Sequence, residues 1–226
     1  MVTTGTAPQG PDLARLLAGH RPQGPAETAD HARASALLAA HGGAVHDGAV
    51  HGGAVHDGAV HGGAVHDGAA HDTDGPHARD LWDRGTPLHF TASALIVHPP
   101  TRRVLLRWHV RQQAWLQVGG HGDPGETRPL DIALREGLEE TGLTDLTPWP
   151  DAALAHLAVV PVPASPVEPA HEHADLRFLL ATDTPDAARP ENPASPLEWL
   201  TVEEAKRRTT EANFRETLDR AARLLG

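Results

Sequence analysis

The 226-residue sequence predicts an α+β or mixed-sheet sandwich, preceded by a helical arm and a low-complexity repeat. Three observations predict this. From about His77 onward, short strand patterns recur among a few helical ones without strand-helix-strand regularity. Residues 11–40 carry two helical periodicities. Between these regions runs a strict ten-residue repeat. With 39% hydrophobic residues, 22 Gly and 20 Pro, part of the chain is not core. The expected division is an arm over 1–40, the repeat over 41–75 and the main domain over 76–226.

In the arm, Leu13, Leu16 and Leu17 share one helical face. After a Pro-Gly break around Arg21 to Pro25, Ala29, Ala32, Ala36 and Leu37 share another. Both faces are narrow, so the arm is expected to lie on the main domain.

The repeat, His-Gly-Gly-Ala-Val-His-Asp-Gly-Ala-Val, begins at His41 and runs through three copies to Ala70. Histidines fall at 41, 46, 51, 56, 61, 66 and 71. Five residues turn a helix by roughly 500° and alternate faces on a strand, so neither element gathers these imidazoles. A Gly in every pentad and no large side chain leave little surface to offset ordering entropy. One reading is a flexible spacer. Another is a chelating tract over residues 41–71 for nickel, copper or zinc. A five-residue solenoid lacks the bulky inward residue it requires.

In the main domain, Thr91 to His98 and Arg102 to His109 read as strands around the turn His98-Pro-Pro-Thr101, and Ala114 to Val118 as a third. Gly119 to Gly125 is a Gly-rich loop, and Pro129 to Thr141 a helix closed by Gly142. Ala153 to Val162 and Leu176 to Ala181 read as strands separated by a Pro-rich loop over Pro161 to Ala174. Glu198 to Leu200 is a further short strand. Thr201 and Glu204 form a capping-box signature. The last helix, Glu211 to Leu225, aligns Phe214, Leu218, Ala221 and Leu225.

Composition excludes several function classes. Zero Cys removes disulfides, thiolate zinc sites and a Cys nucleophile. The formal net charge is −11 and no basic tract exists to grip a phosphate backbone, so no nucleic-acid partner is expected. No stretch approaches the roughly 18 apolar residues of a membrane span, and residues 1–10 lack a signal-peptide pattern. The expectation is a soluble cytoplasmic protein with no membrane partner.

The stretch from Gly119 to Leu143 carries the chemistry. With Leu130 at zero on a wheel of about 100° per residue, Leu134, Gly137, Leu138 and Thr141 make the expected buried stripe. Glu136, Glu139 and Glu140 fall roughly opposite, near 240°, 180° and 280°. Three carboxylates at this spacing repel one another and sit where the helix dipole disfavours anions. Binding of a hard cation would relieve both costs. Oxygen-only ligands suit Mg²⁺ or Mn²⁺ shared with a substrate phosphate. The Gly-rich loop lets backbone groups approach the same ion or phosphate.

These residues resemble the Nudix box: Gly120, Glu126, Arg135, Glu136, Glu139, Glu140, Gly142 and Leu143 fill its defined positions. Eight residues rather than seven separate Glu126 from Arg135, and Gly137 replaces the usual aliphatic residue. The extra residue falls near Arg128-Pro129, where the loop enters the helix. Gly137 costs about 1 kcal/mol of helix propensity and implies close packing against the sheet. The likeness extends over about residues 85–205 and includes Trp115-Leu-Gln-Val-Gly-Gly-His121 and His171-Glu-His-Ala-Asp-Leu-Arg-Phe178. The arm resembles the N-terminus of a bacterial Nudix subgroup.

The resemblance implies an α/β fold, an α/β/α sandwich with a mixed sheet, and hydrolysis of a nucleoside diphosphate linked to another group, of the nucleoside triphosphate or nucleotide-sugar type. It implies that Glu136, Glu139, Glu140 and the Gly120 carbonyl bind Mg²⁺ or Mn²⁺. It also implies that Arg135 orients the helix through Glu126, with Glu139 and Glu136 in the catalytic machinery. His121, His171 and His173 are candidate substrate contacts, and the loop with Glu168 and Glu172 is a candidate source of an outside base. Trp108, Trp115 and Phe178 are candidates for base stacking or for core. The missing Tyr disfavours a diadenosine-polyphosphate hydrolase, and the missing Cys an isopentenyl diphosphate isomerase. Two alternatives belong to other classes: a non-catalytic nucleotide sensor on the same fold, and metal buffering through the His repeat.

Overall fold

The computed structural model describes residues 12–42, 81–166 and 168–226. The repeat beyond Gly42, with its spacer and chelator readings, lies outside the described residues, as does the arm-to-domain boundary near residue 75. No helix among the described residues is long and apolar enough to cross a membrane.

Helix α1 (Leu13–Gly19) starts at Asp12, whose side chain accepts from the Arg15 amide at 2.8 Å. Leu13, Leu16 and Leu17 are buried as their spacing predicts. Helix α2 (Gly24–Gly42) departs from the expectation. Ala29, Ala32 and Ala36 face solvent, whereas Glu27 and Ala34 are buried and Leu37 and Leu38 pack on the core. Alanine methyls bury too little area to set the rotation of a helix. Two hydrogen bonds from Arg220 and one from the Leu157 amide to Glu27 set it instead.

One eight-stranded mixed sheet forms the middle layer. Its centre is β1 (Leu88–His98) beside β7 (His171–Ala181), parallel and in register from Leu88 opposite Glu172 to Val97 opposite Ala181. The other edge of β1 is divided. Its middle residues, Ala92 to Ala94, pair with β4 (Val118–Gly120) and its last residues with β2 (Arg103–His109), both antiparallel. The expected single strand 114–118 therefore breaks at Gln117, because β3 (Ala114–Leu116) pairs with β2 while β4 crosses to β1. Strand β8 (Leu197–Thr201) also lies on β2. Strands β5 (Thr147–Pro148) and β6 (His156–Val162) lie on β7.

Side-chain alternation sends the two faces into two cores. Phe90, Ala92, Ala94 and Ile96 of β1, with Ala174, Leu176, Phe178 and Leu180 of β7, join α1, α2 and α3 (Pro129–Thr141). Leu95, Val97 and Leu179, with Val104 and Leu106, join α4 (Val202–Arg208) and α5 (Ala212–Leu225). The architecture is an α/β/α sandwich with N-terminal helices. The capping box forms as its signature predicts, Thr201 and Glu204 exchanging side-chain and backbone bonds.

Helix α3 has the expected limits and closes at Gly142, whose φ of 67° is one that glycine adopts without strain. Its buried stripe is rotated from the expected one. Leu138 is 44% exposed, while Ile132, Ala133 and Glu140 are buried. The helix leans its carboxylate side toward β4, so Glu140 takes up space that a simple apolar stripe would have left to solvent. A Cβ at Gly137 would lie 2.8 Å from Leu146 Cδ1 and 3.7 Å from Leu180 Cδ1, the close packing implied by glycine at that position.

Candidate functional site

Arg135 of α3 is the hub of the site. Its Nε and Nη2 donate to Glu126 Oε1 and Oε2 at 3.0 and 2.9 Å, a bidentate pair across the loop-to-helix junction. Nη1 donates to both Glu136 and Glu139 at 3.0 Å, and Nη2 also reaches the His121 carbonyl at 2.9 Å. One guanidinium thus ties the loop, its flanking carboxylate and two residues of the helix together. Arg128 precedes Pro129 in extended conformation, so the additional box residue is taken up before the first helical turn. Burial raises the Glu126 carboxyl, but the bonds from Arg135 and the Asp123 amide outweigh it and hold Glu126 below the usual range.

The three helix carboxylates differ in surroundings. Glu140 is buried, accepts from the Gly119 amide at 3.2 Å and pairs with Arg107 of β2 at 3.0 Å. Burial pushes its carboxyl up to about 7 despite Arg107. Burial also raises Glu136, with Arg135 opposing. The Glu139 side chain is half exposed. Gly119 and Gly120 lie against this group for a steric reason. A Cβ on Gly119, at φ 150°, would be 2.4 Å from Ser93 Cβ, and one on Gly120 would be 2.5 Å from Glu136 Oε1. No other residue fits either position without displacing what it touches.

On the α5 side of the sheet, Gly119 and Gly120 also border a cleft of about 240 Å³. Its floor is polar: Asp175 accepts from Thr91 at 3.1 Å, Ser93 at 3.0 Å, Gln117 at 3.3 Å and Arg177 at 2.8 Å. Because the Gln117 amide nitrogen is directed to Asp175 and Ser93, its oxygen is left over. Among the described residues, Gln117 Oε1 is the buried side-chain atom without a hydrogen-bond partner.

Of the histidines expected to meet substrate, His121 and His173 border this cleft. His171 and His173 are not in a Pro-rich loop; they begin β7, because His171, His173, Asp175 and Arg177 alternate with Ala174, Leu176 and Phe178. Glu172 falls on the opposite face and bonds Arg33 of α2 at 3.1 Å, while Glu168 pairs with Arg111 at 2.7 Å. Trp108 and Trp115 pack edge to face, with Arg208 over Trp115, and Phe178 is core; none of the three lines the cleft. Sequence reasoning missed Thr91, Ser93, Gln117, Asp175, Arg177 and His89. The available signal was polar alternation in His89, Thr91, Ser93 and in His171, His173, Asp175, Arg177, one face of each of two neighbouring strands.

A family model for the NUDIX domain matches residues 87–221. Among solved structures, the chain is similar to the E. coli dihydroneopterin triphosphate pyrophosphohydrolase, with 19% identity over 60% of this chain and 94% of that one and a TM-score of 0.45. It is similar to a C. elegans Ap4A hydrolase binary complex, with 21% identity over 62% and 98% and a TM-score of 0.49. A NUDIX-family hydrolase from Clostridium perfringens matches at 24% identity over 61% and 95%, with a TM-score of 0.41. No curated protein matches the chain. The family match spans more than half of the sequence and takes in both the carboxylate helix and the cleft strands, so this chain belongs to the Nudix hydrolase family.

Proposed function

We propose that the protein is a divalent-metal-dependent pyrophosphohydrolase acting on a nucleoside diphosphate linked to another group, such as a nucleoside triphosphate or nucleotide sugar. The observation that carries this reading is the meeting of Glu136 with Gly120 and of Glu140 with Gly119, with Glu139 tied to Glu136 through Arg135, at the edge of a polar cleft. The donor set fits a hard cation: it is oxygen-only, and the Gly120 position leaves open the space a Cβ would fill beside Glu136. Glu136, Glu139, Glu140 and the Gly120 carbonyl would hold Mg²⁺ or Mn²⁺. When bound, the cation supplies Lewis-acid neutralisation of charge on the diphosphate.

The chain's own residues do the rest. Arg135 holds Glu136 and Glu139 on one nitrogen and is itself held by Glu126, so the carboxylates keep their places as charge develops. Glu139, the most exposed of the three, takes the proton from a water attacking phosphorus, while the bridging P–O bond breaks and its electrons leave with the departing phosphate. The spare Gln117 oxygen accepts an N–H or O–H from the group seated in the cleft, such as the amino or imido edge of a base.

The test is phosphate and diphosphate release from nucleoside triphosphates, nucleotide sugars, ADP-ribose and dinucleotides, with Mg²⁺ or Mn²⁺ and with EDTA. Turnover of one class that EDTA abolishes is the expected result. Glu139→Gln should abolish it with the thermal midpoint preserved. Nucleotide binding without turnover across the panel would instead identify a sensor.

A further inference from the structure

Four imidazoles from three separate segments meet beside the cleft: His89 at the start of β1, His121 in the loop after β4, and His171 and His173 at the start of β7. His89 lies directly opposite His173 in the parallel register. Ring centroids are 5.0 Å apart for His89 and His121, 4.9 Å for His89 and His173, 4.9 Å for His121 and His173, and 5.0 Å for His171 and His173. One ring nitrogen from each of His89, His121 and His173 lies within 4.8 Å of the other two.

The outer nitrogens decide what the inner ones can do. His89 donates from Nδ1 to the Thr86 carbonyl at 3.0 Å, and His171 from Nδ1 to the Pro169 carbonyl at 2.9 Å. A carbonyl only accepts, so the proton on each of these rings that faces the carbonyl sits on Nδ1, and the neutral form presents an Nε2 lone pair inward. Such a backbone bond is the usual companion of a metal-ligating imidazole, since it fixes tautomer and ring direction. His89 Nε2 faces His121 Nε2 at 3.0 Å and His171 Nε2 faces His173 Nε2 at 3.1 Å. Tetrahedral ligands about 2.0–2.1 Å from an ion stand roughly 3.3–3.4 Å apart, so small ring rotations suffice. Burial lowers the pKa of His89, and that of His173 to about 4.

We propose that His89, His121 and His173 form a binding site for a transition-metal dication of the zinc type, with His171 as a fourth imidazole. The site contains no carboxylate, so it selects softer ions than the oxygen set around Glu136. Bound metal would cross-link the first residues of the two central strands to the loop that follows Gly120.

The test uses the full chain and Zn²⁺, read as a shift in the thermal midpoint in Mg²⁺-containing buffer. Zn²⁺ in large excess over its dissociation constant should raise the midpoint by about 5 °C or more. The shift should persist when His46, His51, His56, His61, His66 and His71 are replaced by Ala, and in Glu139→Gln. It should vanish in His89→Ala and in His173→Ala. No shift in the parent protein overturns the proposal, as does a shift that survives both variants or disappears with the repeat histidines. If either variant fails to fold, zinc X-ray absorption on the repeat-substituted protein decides. Three or four imidazole nitrogens at about 2.0–2.1 Å support the site, and an oxygen-only shell overturns it.

Discussion

Glu27 and Arg220, 193 positions apart, form a bidentate ion pair with bonds of 2.8 and 2.7 Å in the interior of the protein. Glu27 is 1% exposed and also takes bonds from His20 and the Leu157 amide. Burial raises its carboxyl, but these partners together prevail and hold it well below the usual carboxylate range. The pair joins α2 to α5, so the arm is fastened through a charge that has no water to fall back on.

Removing one partner should therefore cost far more than a surface ion pair would. Glu27→Gln leaves Arg220 charged and buried, and about 3–5 kcal/mol of stability should be lost in urea denaturation. Adding Arg220→Met should recover part of that loss, because the stranded charge is then gone. A loss below about 1 kcal/mol for the single variant would mean that the arm is not held by this contact.

Acid should weaken the fold at His156 from a pH above the ordinary carboxylate range. His156 is 2% exposed, bonds Thr217 at 2.8 Å, and is surrounded by Arg177, Arg220, Glu216, Glu27 and His20. Burial, with help from the arginines, brings it from 6.5 to about 3. The unfolded chain therefore binds a proton that the folded one refuses. The contribution is complete above about pH 6.5 and is lost as pH falls from there toward about 3, at up to roughly 1.4 kcal/mol per pH unit. His156→Asn can retain the Thr217 bond, and its stability curve should be flatter than the parent's between pH 6.5 and 4. Parallel curves would refute the assignment.

Gly120→Ala should separate catalysis from stability. The three atoms nearest to the added methyl all belong to the Glu136 carboxylate, the far end of a flexible side chain. Stability should change by no more than about 0.5 kcal/mol. Displacing that oxygen by about 1 Å should lower the hydrolysis rate about a hundredfold. Unchanged turnover would show that Glu136 need not occupy its present place.

The limits of α3 were legible because Pro129 and Gly142 punctuate it, and the Thr201 capping box because its two residues act locally. The rotation of α2 was not, because it depends on Arg220, a residue nearly 200 positions away. Leu138 misled for a related reason. Periodicity counts its side chain as apolar, but Glu140 and Arg107 give the helix a polar contact to bury. The cleft floor escaped notice because Asp175 lies just before the expected strand Leu176 to Ala181 and Arg177 within it, and nothing local shows that Thr91, Ser93 and Gln117 converge on Asp175. His89 escaped notice because its alternation with Thr91 and Ser93 marks a polar strand face without showing that His121 and His173 meet it there.

The alternation along β1 and β7 also limits how this protein can change in length. His171, His173, Asp175 and Arg177 share one side of the ribbon, and Ala174, Leu176 and Phe178 the other. Inserting or deleting one residue upstream of Leu176 would exchange the sides for everything before it, sending imidazoles into the leucine core and leucine-side residues into the cleft. Two residues would restore the sides and merely shift the chain along. Viable length variants of these strands should therefore differ by even numbers, a parity rule that surface loops such as the one after β2 do not face.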